Sequence, residues 1–199
     1  LALGYFGEIA SLAVEAKTGG QDVVCIADRE VEQLVRRRIA AAFPDDGLLG
    51  EEYGFTPSAS GFVWVLDPID GTSCFLHGIR NWCVSLALMQ DGVTVAGFIL
   101  DPNARELFRA VAGQGATLNG QPLAVSAGES LDGARINGAR GGLEALEKLV
   151  PTVKLIPRLN SLALRLARVA EGRFDIVFSA GNGNDWDLAA ADLLVHEAG

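Results

Sequence analysis

Acidic side chains occur at three places where a secondary-structure element is predicted to begin or end. These places are Gly50-Glu51-Glu52, Asp67-Pro68-Ile69-Asp70 and Asp185-Trp186-Asp187. Acids at such boundaries can converge on one site without being buried in the core. Carboxylate oxygens are the ligands that Mg²⁺ prefers in proteins, and Mg²⁺ usually also retains waters and binds substrate phosphates. The spacing therefore predicts a site for divalent cations and a phosphate group.

The second of these stretches holds the largest number of candidate ligands. Pro68 fixes its own φ, which helps to direct Asp67 and Asp70 differently, and the carbonyl of Ile69 could be a further ligand. Gly71-Thr72 follows at once and offers backbone N–H groups and a hydroxyl. We expect a helix to begin there, and an anion is favoured at a helix start.

Taken singly, each stretch also has a purely structural interpretation. Asp70-Gly71 is typical of a turn, Asp187 of a helix cap, and Glu51-Glu52 of a solvated surface. Their joint occurrence, each beside Gly, Pro or Trp, favours the metal site. The motifs of other chemistries are absent. Asp67 and Asp70 are three positions apart, whereas the acids of aspartyl-nucleophile phosphatases are two apart. The P-loop motif G-x-x-x-x-G-K-[ST], the serine-nucleophile motif G-x-S-x-G and the zinc motif H-E-x-x-H do not occur.

Composition narrows the class of protein further. The net charge of −9 argues against sequence-independent binding of nucleic acid, and an acidic protein with an anionic substrate needs cations, which metals can supply. No apolar run approaches about 18 residues, so no membrane span is predicted. The three cysteines show no paired spacing, which favours a reducing cytoplasm over a disulfide scaffold. Leu1 is not a natural start, and we expect residues to be missing at both ends.

Helices and hairpins must position these side chains. We expect a loop over 17–22, a helix over 29–42 with Asp28 as its N-cap, and a second helix over 161–171 with Leu162, Leu166 and Val169 facing inward. The elements predicted around them are a buried strand over 62–66, a hairpin of 84–89 with 93–100, a turn at Asn119-Gly120 and an apolar helix over 187–198. Such alternation predicts an α+β fold or a multilayer sandwich.

These motifs resemble those of the inositol monophosphatase family of metal-dependent, lithium-sensitive phosphatases. The run WVLDPIDGTSCF, from Trp64 to Phe75, is similar to the family's W-x-x-D-P-I-D-G-T-x-x-F. The run from Trp186 to Gly199 is similar to W-D-x-A-A-x-x-x-L-V-x-E-A-G. Gly50-Glu51-Glu52 matches G-E-E, and the stretch from Lys17 to Asp28 resembles K-x-x-x-D-x-V-T-x-A-D, so the resemblance spans nearly the whole chain.

The resemblance implies a layered αβαβα sandwich, with one phosphatase domain over 1–199. Its N-terminal, metal-binding part would cover about 1–125 and its C-terminal part about 126–199. It also implies a small phosphate ester as substrate, two or three Mg²⁺ ions, a homodimer, and no nucleic-acid or membrane partner. The metal ligands implied are Glu51, Asp67, the Ile69 carbonyl, Asp70 and Asp187.

Catalytic roles follow from the same resemblance. Thr72, paired with Glu51, would orient the attacking water, and Asp28 would assist at a weaker third metal. The substrate-binding residues implied are Asp70, Gly71, Thr72, Ser161 and Asp187.

The sequence departs from the family pattern at three places. Cys25 stands where the family usually has Thr, and Asn160-Ser161-Leu162 replaces a Gly-Ser/Thr-Ala run. The segment 180–185 lacks the Glu that inositol-selective members use. The resemblance makes inositol-1-phosphate the first candidate substrate, but the missing Glu predicts broad or altered specificity. The substrates 3′(2′),5′-bisphosphate nucleotides, histidinol phosphate and fructose-1,6-bisphosphate are therefore left open. A catalytically silent regulatory binding protein is a further alternative, which the intact set of site residues opposes.

Overall fold

A computed structural model describes residues 1–8, 14–16, 23–138, 140–179, 181 and 183–199. The loop predicted over 17–22 lies outside the described residues. The helices are α1 (Ala2–Gly7), α2 (Ile26–Ala42), α3 (Thr72–Leu76), α4 (Arg140–Leu149), α5 (Leu162–Ala170) and α6 (Asp185–Glu197). The strands are β1 (Val14–Ala16), β2 (Val23–Cys25), β3 (Gly47–Gly50), β4 (Gly54–Thr56), β5 (Phe62–Asp70), β6 (Cys83–Gln90), β7 (Val93–Asp101), β8 (Glu106–Val111), β9 (Ala116–Leu118), β10 (Gln121–Pro122), β11 (Arg135–Gly138), β12 (Lys154–Leu155) and β13 (Ile176–Phe178).

An eight-stranded sheet is the largest element, with strand order β10-β9-β8-β7-β6-β5-β3-β4. Every neighbouring pair in it is antiparallel except β3 with β5. Asp91-Gly92 joins β6 to β7, and Asn119-Gly120 joins β9 to β10, all four residues with positive φ. Positive φ at both central residues is the geometry of the tight hairpin turn that suits twisted strands. The predicted hairpin and turn are confirmed.

Two layers of helix cover the two faces of this sheet. Neighbouring residues on a strand point to opposite faces. On β5, Leu66 packs with Ile39 of α2, whereas Val65 packs into the core formed with α5 and α6. The small parallel sheet β12-β11-β13 adjoins α5, and α4 packs on it where Leu143 meets Ile136. The order of layers is α2, large sheet, α5 with α6, small sheet and α4, which confirms the layered αβαβα fold.

The inward face predicted for α5 is wrong in part. Leu162 is buried as expected, but Leu166 and Val169 are only half-buried. Ala163 and Ala167 are instead fully buried, together with the other small residues of the core shared with α6. Close packing of two helices favours small side chains at the contact, and the spacing of apolar residues alone did not distinguish those positions.

No described helix is both long and apolar enough to cross a membrane.

Candidate metal centre

The end of β5 brings Asp67 and Asp70 to the same side of the sheet. The strand does not stop at Asp67, as the sequence suggested, but continues to Asp70 with an irregularity in its pairing. Asp67 pairs with Ser85 of β6 and Asp70 with Cys83, so three steps along β5 match two along β6. Residues three apart on a regular strand face opposite ways, and one extra residue restores a common face.

A proline explains why the irregularity occurs at this place. Pro68 has no N–H to donate to the neighbouring strand. The next N–H, that of Ile69, donates instead to the Asp67 carboxylate at 2.9 Å. The local hydrogen bond replaces a ladder bond and fixes the direction of the Asp67 side chain.

Asp187 reaches the same place from the first turn of α6. Its carboxylate accepts a hydrogen bond from the N–H of Asn184, the N-cap residue, at 2.7 Å. The hydroxyl of Ser85 on β6 donates to the carbonyl of Trp186 at 3.1 Å, which ties the start of α6 to the sheet. Carboxylate oxygens of Asp67, Asp70 and Asp187 lie within 4.8 Å of one another.

Burial and the repulsion of neighbouring negative charges raise the pKa values of Asp67 and Asp70. The pKa of Asp67 is raised well above its ordinary value, first by burial and then by the negative charges of Asp70, Glu51 and Asp187. Burial also raises the pKa of Asp70 to about 6, against the opposing effect of hydrogen bonds from Ser161 and Ala163. Buried carboxylates are stable as charges only when a cation or hydrogen bonds compensate them. A hard divalent cation fits this donor set.

Asp70 is held by the beginning of α5. It accepts hydrogen bonds from the hydroxyl of Ser161 at 2.6 Å, from the N–H of Ala163 at 2.6 Å and from that of Leu162 at 3.2 Å. Ser161 is the N-cap of α5 and also accepts from the N–H of Leu164 at 3.0 Å. The structure therefore places Ser161, fully buried, directly behind Asp70.

Thr72 begins α3, as the sequence predicted, and its hydroxyl lies between two acceptors. The hydroxyl oxygen is 3.0 Å from the carbonyl oxygen of Ile69 and 3.2 Å from a carboxylate oxygen of Asp28. Gly71 precedes it with a φ of 100°, and a Cβ there would lie 2.8 Å from the carbonyl oxygen of Asn81. Only glycine satisfies both conditions at this turn.

Asp28 is not the N-cap of α2, because the helix begins at Ile26 and Cys25 is the cap. One oxygen of Asp28 accepts from the N–H of Cys25 at 2.9 Å and from its thiol at 2.8 Å. Asp28 and Cys25 thus form a reciprocal capping box, in which the cysteine does what threonine usually does. Burial and the bond to Asp28 raise the pKa of the Cys25 thiol to about 12. Burial also raises the pKa of Asp28, while the bonds from Cys25 and Thr72 oppose that rise.

Glu51 follows β3 and lies against Asp67. Its N–H donates to the carbonyl of Leu66 at 3.2 Å, and the negative charge of its carboxylate helps to raise the pKa of Asp67. Sequence reasoning missed Glu32 on α2, which is fully buried beneath the same turn. Its spacing of four residues from Asp28 places both acids on one helix face, and that was the available signal.

Comparisons with known proteins agree with this geometry. The sequence model of the inositol monophosphatase family matches residues 1–199. A Pseudomonas aeruginosa protein named Nus factor SuhB is 37% identical over 193 residues, which are 90% of this chain and 71% of that protein. An inositol-1-monophosphatase of Rhizobium meliloti is 39% identical over 204 residues, covering 98% of this chain and 76% of that protein.

A solved structure shows the same fold. The extragenic suppressor protein suhB of Bartonella henselae superposes with a TM-score of 0.87 at 36% identity. The superposition covers 100% of this chain and 79% of that one. The αβαβα architecture and the positions of its main elements are therefore shared with a relative of known structure.

Proposed function

The chain belongs to the inositol monophosphatase family, a family of phosphoric monoester hydrolases, and we propose that it cleaves inositol-1-phosphate and related small esters with two or three Mg²⁺ ions. One observation carries the proposal. Asp67, Asp70 and Asp187 come from two elements distant in sequence, yet their carboxylate oxygens lie within 4.8 Å. Such an acidic cluster, with Asp67 and Asp70 buried and Asp187 half-buried, lies next to a hydroxyl and a glycine turn and suits a metal-dependent phosphatase.

The ligands proposed for the metals are Glu51, Asp67, the Ile69 carbonyl, Asp70 and Asp187. When bound, the ions lower the pKa of an attacking water and stabilise negative charge on the phosphate oxygens. Geometry supports this set, because carboxylate oxygens of Asp67, Asp70 and Asp187 lie within 4.8 Å of one another and burial raises the pKa of Asp67 and Asp70.

The remaining roles belong to the chain's own groups. Thr72 and Glu51 orient the attacking water, and Asp28 holds the Thr72 hydroxyl, to which its carboxylate lies 3.2 Å away. The backbone N–H groups of Gly71 and Thr72 donate to the phosphate, and Asp70 and Asp187 contribute to its binding as ligands of the metals. Ser161 supports that side through its hydrogen bond to Asp70.

Substrate preference is proposed to be broad. The described residues of the segment before Trp186 are Gly181 and 183–185, and none of them is the glutamate that would select inositol hydroxyls. Asn182, which belongs to the same segment 180–185, lies outside the described residues. A site that hydrogen-bonds a polyol discriminates strongly only when its own polar groups would be left unpaired by other substrates. Nucleotide bisphosphates, histidinol phosphate and fructose-1,6-bisphosphate therefore remain candidate substrates.

A regulatory role is the second candidate, because one relative bears the name Nus factor. A protein that only binds a partner does not need the complete set Glu51, Asp67, Asp70, Thr72 and Asp187. We therefore place catalysis first, with any partner binding as an addition.

The organisation of the protein is part of the same proposal. One phosphatase domain spans 1–199, with the metal ligands Glu51 to Asp70 in its part up to about 125. We propose a homodimer in the cytoplasm that is sensitive to lithium. The three cysteines, all buried and free, support a reducing compartment.

The test is phosphate release from a panel of four substrates at one Mg²⁺ concentration. The panel is inositol-1-phosphate, 3′-phosphoadenosine 5′-phosphate, histidinol phosphate and fructose-1,6-bisphosphate. We expect Mg²⁺-dependent turnover of inositol-1-phosphate, with a kcat/KM less than about a hundredfold above that of the next substrate, which is roughly 2.7 kcal/mol in transition-state binding. A larger preference contradicts broad specificity, and no Mg²⁺-dependent release from any of the four contradicts the proposed function.

A further inference from the structure

Glu32 is a buried acid that none of the proposed roles uses. It lies in the middle of α2 and its side chain has no exposed surface. Charged side chains are rarely buried unless each oxygen has a partner. The partners of Glu32 therefore show what its burial achieves.

Both carboxylate oxygens of Glu32 bind the turn that carries Glu51. One oxygen accepts from the N–H of Glu52 at 2.8 Å, and the other accepts from the N–H of Tyr53 at 3.1 Å. Gly50 lies so close that any side chain there would overlap the Glu32 carboxylate. Together with the bond from the Glu51 N–H to Leu66, three consecutive N–H groups of this turn are anchored.

Arg36 also binds the carboxylate, at the oxygen that accepts from Tyr53. Its guanidinium lies 2.8 Å from Glu32, one helical turn away, and also donates to the carbonyl of Gly54 and the hydroxyl of Thr56. The salt bridge therefore joins α2 to β4, the strand after the turn. A hydrogen-bonded charge pair of this kind restricts both the carboxylate and the turn.

The same face of α2 also fixes Thr72. Asp28 precedes Glu32 by one helical turn, about 6 Å along the axis, and its carboxylate lies 3.2 Å from the Thr72 hydroxyl. Two buried acids of one helix thus bind Thr72 and the turn that carries Glu51, the two residues that are proposed to orient the attacking water.

We infer that Glu32 is a positioning residue, which holds the Glu51 turn at a fixed place relative to Thr72 and the metal ligands. The inference rests on the proposed function, because Glu51 is a proposed ligand. Substitution of groups that orient metal ligands typically lowers metal affinity or activity by 10- to 100-fold. Glu32→Gln keeps the size of the side chain but leaves only one oxygen to accept the two N–H groups, so a loss in that range is expected.

The experiment measures Mg²⁺ binding by titration calorimetry, without substrate, beside kcat and KM for inositol-1-phosphate at saturating Mg²⁺. We expect Glu32→Gln to weaken Mg²⁺ binding at least tenfold and to lower kcat with little change in KM. The matched control is Glu197→Gln, because Glu197 also accepts two backbone N–H groups, those of Gly113 and Gly115. It lies about 15 Å along α6 from Asp187, and we expect unchanged Mg²⁺ affinity.

A double-mutant cycle separates positioning from a general loss of stability. If Glu32 acts through Glu51, Glu32→Gln adds little to the Mg²⁺ defect of Glu51→Gln, whereas independent effects add. Should Glu32→Gln fold poorly, Arg36→Gln keeps both N–H bonds but removes the cation, and a smaller loss of Mg²⁺ affinity is expected.

Unchanged Mg²⁺ affinity in both folded variants, or additive defects in the cycle, would overturn the inference. Mg²⁺ binding by the wild type with no phosphate release from inositol-1-phosphate contradicts that substrate alone, and the ratio of Mg²⁺ affinities then still decides the role of Glu32. A wild type that neither binds Mg²⁺ nor releases phosphate overturns both.

Discussion

Gly97 of β7 lies directly against the backbone of α6. A Cβ built there would lie 2.8 Å from the carbonyl oxygen and 3.0 Å from the Cα of Ala190, a fully buried residue of α6. The contact is with backbone rather than with a flexible side chain, so Gly97→Ala requires the helix to move. Restoring an ordinary contact of 3.4 Å from 2.8 Å needs a shift of about 0.6 Å.

The magnitude follows from two opposing effects. Overpacking a well-packed core typically destabilises a protein by about 1–3 kcal/mol. Replacing glycine with alanine in an extended strand stabilises the protein by about 0.4–1 kcal/mol, because it lowers the conformational entropy of the unfolded chain. We therefore expect Gly97→Ala to lower the free energy of unfolding by about 1–2 kcal/mol, measured by urea denaturation. Gly128→Ala is the matched control, because its Cβ meets nothing within 4 Å and its φ is not positive.

The same shift reaches the metal centre. Ala190 lies one helical turn after Asp187, so movement of α6 displaces Asp187 relative to Asp67 on β5. The Mg²⁺ concentration for half-maximal rate should rise several-fold in Gly97→Ala and stay unchanged in Gly128→Ala. A Gly97→Ala protein that is as stable as the wild type and needs no more Mg²⁺ would refute this account of how α6 is seated.

Three further predictions concern the site and the small sheet. Thr72→Ala should lower kcat much more than it raises KM, because the hydroxyl acts in the transition state, and a pure KM effect would make Thr72 a phosphate anchor. Mg²⁺ should raise the unfolding temperature of the wild type, because it binds only the folded state. Thermal unfolding of Asp187→Asn should show a smaller rise with Mg²⁺, and an equal rise would contradict Asp187 as a ligand. Hydrogen bonds and the charge of Arg135 hold the pKa of Asp175 below its ordinary range. Because the pKa of Asp175 is lower in the folded protein than in the unfolded chain, where it is near 4, the ionised carboxylate stabilises the fold at pH values above about 4. This contribution is lost as the pH falls towards the pKa of the folded protein. The stability deficit of Arg135→Gln, measured by urea denaturation, should therefore shrink from pH 7 to pH 3, and a constant deficit would argue against the ion pair.

Local signals in the sequence were sufficient for the hairpins and the acidic motifs. Asp91-Gly92 and Asn119-Gly120 adopt the positive φ that such pairs favour, and no distant contact is needed to predict it. The convergence of Asp67 and Asp187 was predicted from acids at the ends of elements and from the family pattern, since no local signal relates residues 120 positions apart. The structure shows why the two residues meet, because α6 packs on the large sheet.

Features that depend on tertiary contacts were missed. The extra residue in β5 depends on how β6 pairs around Pro68, and a strand pattern alone suggested an end at Asp67. Cys25 was read as a departure from the family, yet its sulfur takes over the capping role, which only the geometry of α2 reveals. Glu32 was overlooked because a glutamate in a helix is ordinarily a surface residue.

The central claim is that the acids at the end of β5 and the start of α6 hold the metals for phosphate-ester hydrolysis. Phosphate release by Asp67→Asn, as a function of Mg²⁺, tests it most directly, because the change removes one ligand charge and keeps the side-chain shape. The account predicts a folded protein, shown by a cooperative urea transition, whose Mg²⁺-dependent turnover falls by orders of magnitude. A folded Asp67→Asn protein that retains nearly the wild-type rate would contradict it.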